Sequence, residues 1–105
     1  MSEVFVCQKS EIPPNGMKEC SPEGRPKVLI LEAGGTYFAC QADCPHQQVS
    51  LCEGFYDGAV LTCYQHLWQW DIRTGAPVGL AEAPLQTYGV VVEDDSIYVV
   101  DAAAA

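Results

Sequence analysis

Seven short runs rich in β-branched and aromatic residues, explicit turn signals between them, and the lack of any amphipathic helical stretch predict an all-β protein, an antiparallel β-sandwich or barrel. The runs are residues 4–6, 28–31, 37–40, 60–63, 68–71, 89–92 and 97–100. Between them stand Pro13-Pro14-Asn15-Gly16, Gly34-Gly35, Asp57-Gly58, Thr74-Gly75 and Glu93-Asp94-Asp95, which supply left-handed backbone or fix the φ of proline. Gly34-Gly35 reads as a two-residue hairpin joining 28–33 to 36–41, and a second hairpin closes through the acidic tetrad 93–96.

A chain of 105 residues is one domain's worth, here residues 1–101, followed by a short Ala tail at 102–105 that is expected to fray. Fourteen acidic against five basic residues give a formal charge of -9, which repels phosphate backbones and excludes nucleic acid as a natural partner. The same field suits encounters with a basic protein surface. Apolar runs stop at about four residues where a membrane span needs about 20, and no export signal is recognisable, so the expectation is a cytoplasmic monomer without a membrane anchor.

Six cysteines stand at positions 7, 20, 40, 44, 52 and 63. Without an export signal disulfides are disfavoured, and the neighbours of each cysteine sort the six. Cys44-Pro45-His46 is followed, after sixteen intervening residues, by Cys63-Tyr64-Gln65-His66, so two loops each offer one thiolate and one imidazole. These ligand types suit zinc, iron and iron-sulfur centres alike. Structural zinc sites place the cysteines on one knuckle and the histidines on another, whereas here each loop is mixed. A mixed pair per loop suits a two-iron centre in which both cysteines bind one iron and both histidines the other, which is Rieske ligation. A structural zinc module that binds protein is the competing chemistry. Two core cysteines beside incidental histidines would need both histidines of the chain to fall next to cysteines by accident.

Both loops leave the ends of expected strands, where a rigid scaffold can hold ligands, and Pro45 stiffens the first loop by fixing its φ. Cys7, Cys20, Cys40 and Cys52 have no histidine at ligand spacing and are expected to be small buried hydrophobes or incidental thiols. Trp68 and Trp70 alternate along a strand and face the same side.

Cys44-Pro45-His46-Gln47 and Cys63-Tyr64-Gln65-His66-Leu67-Trp68, followed by Thr74-Gly75, resemble the motifs of Rieske 2Fe-2S ferredoxins. Within that superfamily the chain is most similar to the ferredoxin components of multicomponent toluene and other aromatic monooxygenases. They share the Cys-Pro-His-Gln loop, the stretch formed by Glu53, Gly54, Tyr56 and Gly58, and His-Leu-Trp. The resemblance runs from about Val4 to Val100 and implies a β-sandwich of the Rieske type with one 2Fe-2S cluster on two loops at one end. It implies that Cys44 and Cys63 hold the inner iron and His46 and His66 the outer one. It further implies a soluble carrier that turns over no substrate and passes single electrons from an NADH-dependent flavin reductase to a di-iron hydroxylase. The ferredoxin of a ring-hydroxylating dioxygenase is the alternative within the same chemistry. Pro45, Gln47, Gln48, Leu67 and Trp68 are expected to rim the histidine edges and dock the partner.

The respiratory, high-potential Rieske proteins carry an extra cysteine in each loop, and a serine and a tyrosine that hydrogen-bond the cluster sulfurs. By this resemblance Val49 and Gln65 replace the cysteines here, and Trp68 and Trp70 the serine and tyrosine. Fewer strong donors to sulfur imply a potential of about -150 mV rather than about +300 mV.

Overall fold

The run Val28 to Ala33 is apolar at every position but Glu32, the pattern of a strand covered on both faces, and the fold is assembled around it. In the computed structural model, which describes residues 3–22, 26–44, 49–64, 67–79, 81 and 83–100, all six of these residues are buried. The strands are β1 (Glu3–Gln8), β2 (Met17–Cys20), β3 (Val28–Ala33), β4 (Thr36–Gln41), β5 (Phe55–Tyr56), β6 (Val60–Thr62), β7 (Gln69–Asp71), β8 (Pro77–Val78), β9 (Thr87–Glu93) and β10 (Ser96–Val100). One antiparallel sheet runs β1-β10-β9-β4-β3-β2, and a smaller one runs β5-β6-β7-β8. Two single-turn 3-10 segments, Lys9–Glu11 and Leu51–Glu53, are the helical elements among the described residues.

The antiparallel all-β expectation holds, and three strands were not legible. β2 is Met-Lys-Glu-Cys, with two charges and no β-branched residue, while β5 and β8 have two residues each. All three form because a neighbouring strand offers them a ladder, not because of intrinsic preference. Both expected hairpins are present: Ala33 pairs with Thr36 across Gly34-Gly35, and Glu93 pairs with Ser96 across Asp94-Asp95. Gly34 and Gly35 take φ of 58° and 90°, the left-handed backbone that a two-residue hairpin requires.

Alternation along β3 divides the interior. Val28 and Ile30 face a cluster with Cys7, Ile12, Cys20, Ala39, Ile97 and Val99, enclosed by the curl of the large sheet. Leu29, Leu31 and Ala33 face the other way, onto Cys40, Leu51, Leu61, Trp70, Ile72 and Leu85. This second core lies between the two sheets and carries the small sheet with its loops.

Glu32 is the single buried charged residue among those described, and it is satisfied by backbone alone. Its carboxylate accepts from Asn15 N and from Gly35 N, each at 2.7 Å, tying the Pro13-Gly16 turn to the β3-β4 hairpin. The phenol of Tyr56 donates to the Glu32 carbonyl at 2.8 Å and so fastens the small sheet to the large one.

Candidate metal centre

Cys44 lies three residues beyond β4 and Cys63 directly follows β6, so each stands where a strand gives way to a loop. Both loops close by the same backbone device. Cys44 N donates to Val49 O at 2.9 Å, and Cys63 N donates to Trp68 O at 2.8 Å, each bond spanning five residues. Below the first loop, Asp43 bridges Ser50, and Leu51 N donates to Ala42 O at 2.8 Å. Within the second, Leu67 N returns to Cys63 O at 3.1 Å while Leu67 takes a φ of 60°. For a branched side chain that left-handed conformation is costly, and it is held here by the bonds on either side.

The two thiols converge. Cys44 and Cys63 belong to the same buried cluster, with Leu51, Leu61, Trp70 and Leu85 around them. Neither is in a disulfide. Trp70 is fully buried, its indole N–H donating to Ala83 O at 2.8 Å, and its ring meets that of Trp68 edge-on. A third segment is drawn in by Gln41, whose backbone N and side-chain Oε1 both bond Gln86, at 2.8 Å each. The Gln41 amide also donates to Asp43 O at 2.7 Å. Residues 83–86 therefore buttress both cysteine loops. Sequence reasoning missed this segment because its contacts run through Ala83 and Gln86 backbone atoms, which leave no side-chain signature.

Two thiolates at the inner end of an apolar wall, on two loops of matching closure, fit the thiolate half of a mixed two-iron centre. Pro45, His46, Gln47, Gln48 and His66 lie outside the described residues, as does the Ala tail at 102–105. Of the expected docking residues, Leu67 is 58% exposed and Trp68 is half-buried against the core. Tyr64, which the sequence reading did not single out, is also exposed, so Gln65-His66 is flanked by two exposed apolar side chains.

The remaining cysteines divide between the two expectations. Cys7, Cys20 and Cys40 are buried, and burial pushes the Cys40 thiol up to about 12, so it stays protonated. Cys52 packs at the edge of the core between the sheets as an incidental thiol. It is half-buried, with its sulfur 3.8 Å from a Glu19 carboxylate oxygen, because it sits on the outer turn of Leu51–Glu53.

An antiparallel scaffold with two cysteine loops closed alike at one end is the architecture of an iron-sulfur protein of the Rieske class. The family model for the Rieske [2Fe-2S] domain matches residues 2–101, and the chain belongs to that family. The family carries one Rieske-type 2Fe-2S cluster. The chain is 37% identical, over 94% of both chains, to the 3-phenylpropionate/cinnamic acid dioxygenase ferredoxin subunit of Photorhabdus laumondii. It is 34% identical to the ferredoxin component of the alkene monooxygenase system of Xanthobacter autotrophicus, covering 91% of this chain and 79% of that one. Among solved structures, a chain in the complex of reduced oxygenase and oxidized ferredoxin of carbazole 1,9a-dioxygenase superposes with a TM-score of 0.85. It is 28% identical, with 92% of this chain and 91% of that one covered.

Proposed function

We propose that this chain is the ferredoxin of a multicomponent oxygenase, an electron carrier that turns over no substrate itself. The observation that carries the reading is the pair of loops, each closed by a cysteine N–H on the carbonyl five residues ahead, converging on one buried cluster. Cys44 and Cys63 would hold the inner iron from the apolar side, and His46 and His66 the outer iron. When bound, the cluster supplies a single-electron couple. The chain's own residues set its surroundings: Leu51, Leu61, Trp70 and Leu85 exclude water behind the thiolates, and Tyr64 and Leu67 present apolar surface beside the outer ligand.

Electrons would come from an NADH-dependent flavin reductase and pass to the oxygenase at the loop tips, with a basic partner surface matching the charge of -9. The partner oxygenase of this reading is a di-iron monooxygenase acting on aromatic or related hydrocarbons. A ring-hydroxylating dioxygenase is the second reading, supported by the 37% identity to a dioxygenase ferredoxin subunit. Six cysteines free of disulfides support a cytoplasmic location.

Low-temperature EPR with iron and acid-labile sulfide assays tests the site. The oxidised protein is expected to be silent, and dithionite should yield a rhombic signal whose average g lies below that of all-cysteine clusters. A colourless zinc protein that stays so after anaerobic reconstitution would overturn the assignment. Reconstitution with each class of oxygenase, reading product per NADH, separates the two partner readings.

A further inference from the structure

β4 ends at Gln41, three residues short of Cys44, so the backbone that leads into the first cysteine is no longer part of the large sheet. Asp43 faces Ser50 between two bonds, Leu51 N to Ala42 O at 2.8 Å and Cys44 N to Val49 O at 2.9 Å. In such an antiparallel pair the N–H and C=O of the middle residue point away from the partner strand. The Asp43 carbonyl is thus turned toward the side from which β9 flanks β4. There the neighbouring chain departs: Gln86 O takes Gln41 N at 2.8 Å, and Leu85 N turns off to Gly75 O at 2.9 Å.

The side chain of Gln41 fills the gap. Its Nε2 donates to Asp43 O at 2.7 Å, and its Oε1 accepts from Gln86 N at 2.8 Å. These partners fix which way the amide faces, since a backbone N–H meets its oxygen and a backbone carbonyl meets its nitrogen. The bonds run in one direction through three amides: Gln86 N–H to the Gln41 side chain, Gln41 Nε2–H to the Asp43-Cys44 peptide, and Cys44 N–H to Val49 O. Bonds chained in this way polarise and strengthen one another. Both ends of the peptide unit that carries Cys44 are therefore held. The equivalent peptide before Cys63 needs no such device, because Thr62 pairs with Phe55 on one side and with Gln69 on the other.

We propose that Gln41 is a positioning residue for the inner iron: its side-chain amide stands in for a missing strand, fixes the peptide before Cys44, and so sets the direction from which that thiolate meets the metal. The donor to Asp43 O does the positioning, and the acceptor for Gln86 N orients the donor. The proposal rests on the reading of Cys44 as a cluster ligand.

The test uses the holoprotein and reads two quantities, the rate of iron release to excess chelator and the EPR g values of the dithionite-reduced cluster, with urea unfolding measured beside them. Gln41→Glu keeps the length and the acceptor but at neutral pH offers Asp43 O no N–H. Its iron should leave about 10-fold faster than that of the parent, since hydrogen bonds that orient a ligand govern metal retention on that scale, and its g values should shift. Gln41→Lys, whose ammonium supplies a donor for Asp43 O, should release iron at close to the parental rate and return the parental g values. If Gln41→Glu does not fold, Gln41→Met, which keeps the unbranched stem and has neither polar group, carries the same expectation. Parental iron release with parental g values, a lowered unfolding midpoint with both readouts unchanged, a Lys variant no better than Glu, or failure of both Glu and Met variants to fold would each overturn the proposal. A parent without a Rieske signal would overturn the cluster reading as well, whereas a parental signal with unaltered variants overturns the role of Gln41 alone.

Discussion

Trp68 and Trp70 meet edge to face, with ring centroids 6.2 Å apart and planes inclined at 63°. The residue whose carbonyl closes the second cysteine loop is thereby keyed to the residue that fills the core between the sheets. Trp70 is held in turn by Ala83 O, so one indole links the second cysteine loop, the core and the 83–86 buttress.

Replacing Trp70 with Phe keeps an aromatic ring but leaves the buried Ala83 carbonyl without its donor and opens a void where the larger ring stood. The expected destabilisation is about 1–3 kcal/mol, read from the midpoint of urea unfolding. The cluster should also be lost more readily on mild heating, since the second loop loses its keying partner. Unchanged unfolding with unchanged cluster retention would show that the indole contact contributes nothing.

Gly54 and Gly58 in the shared Glu53 to Gly58 stretch have different physical reasons. A Cβ on Gly54 would collide with the carbonyl of Thr62, the residue before Cys63, although its own φ of -87° suits any residue. Gly58 takes a φ of 98° against the Asn15 side chain. Gly54→Ala is therefore expected to cost about 1–3 kcal/mol by overpacking, with loss of cluster content, because the strain falls on Thr62, the last residue of the strand that leads into Cys63. Iron per protein after purification reads it directly.

These glycines show how far the chain was readable. The two cysteine loops, both hairpins and the doubly covered β3 were legible because each leaves a side-chain pattern: mixed ligand pairs, left-handed turn residues, an unbroken apolar run. The closure of Cys44 on Val49 and of Cys63 on Trp68 uses backbone atoms alone, as does the tie from Trp70 to Ala83 O, and no residue type marks such bonds. β5 and β8 were invisible for the same reason, being two-residue ladders imposed by β6 and β7. The inward turn of Cys7 depends on a bulge at Val6 that alternation by itself cannot locate.

Glu32 makes stability depend on pH in a direction that follows from its partners. The backbone N–H groups of Asn15 and Gly35 stabilise the carboxylate, outweighing burial, and hold its pKa below the ordinary 4.5. A folded pKa below the unfolded one stabilises the fold above about pH 5, and that contribution is lost as pH falls through the folded value. Glu32→Gln should therefore be less stable than the parent at pH 7, with the gap narrowing below pH 4. Urea unfolding at the two pH values checks it, and a gap that is equal at both would assign the loss to packing instead.

The reduction potential should lie near the low end of the Rieske range, about -150 mV, because Trp68 and Trp70 stand where high-potential relatives are expected to donate hydrogen bonds to sulfur. The structure adds a reason at Trp70: its one polar hydrogen is committed to Ala83 O at 2.8 Å. A dithionite titration followed by visible absorbance measures the midpoint. A value well above zero would mean that other donors reach the cluster.

Leu67 separates the fold of the second loop from its use. Its backbone is left-handed at a φ of 60°, which glycine adopts freely and leucine does not, while its side chain, one residue after His66 in the sequence, is largely exposed. Leu67→Gly should relieve local strain of about 1 kcal/mol and leave the midpoint potential unchanged, because it removes no group from the buried wall behind the thiolates. If the side chain docks the oxygenase, the same substitution should raise the ferredoxin KM for NADH-driven turnover several-fold with kcat little altered. A fall in kcat at constant KM would instead place Leu67 on the transfer step, and unchanged kinetics would move the docking surface away from this loop.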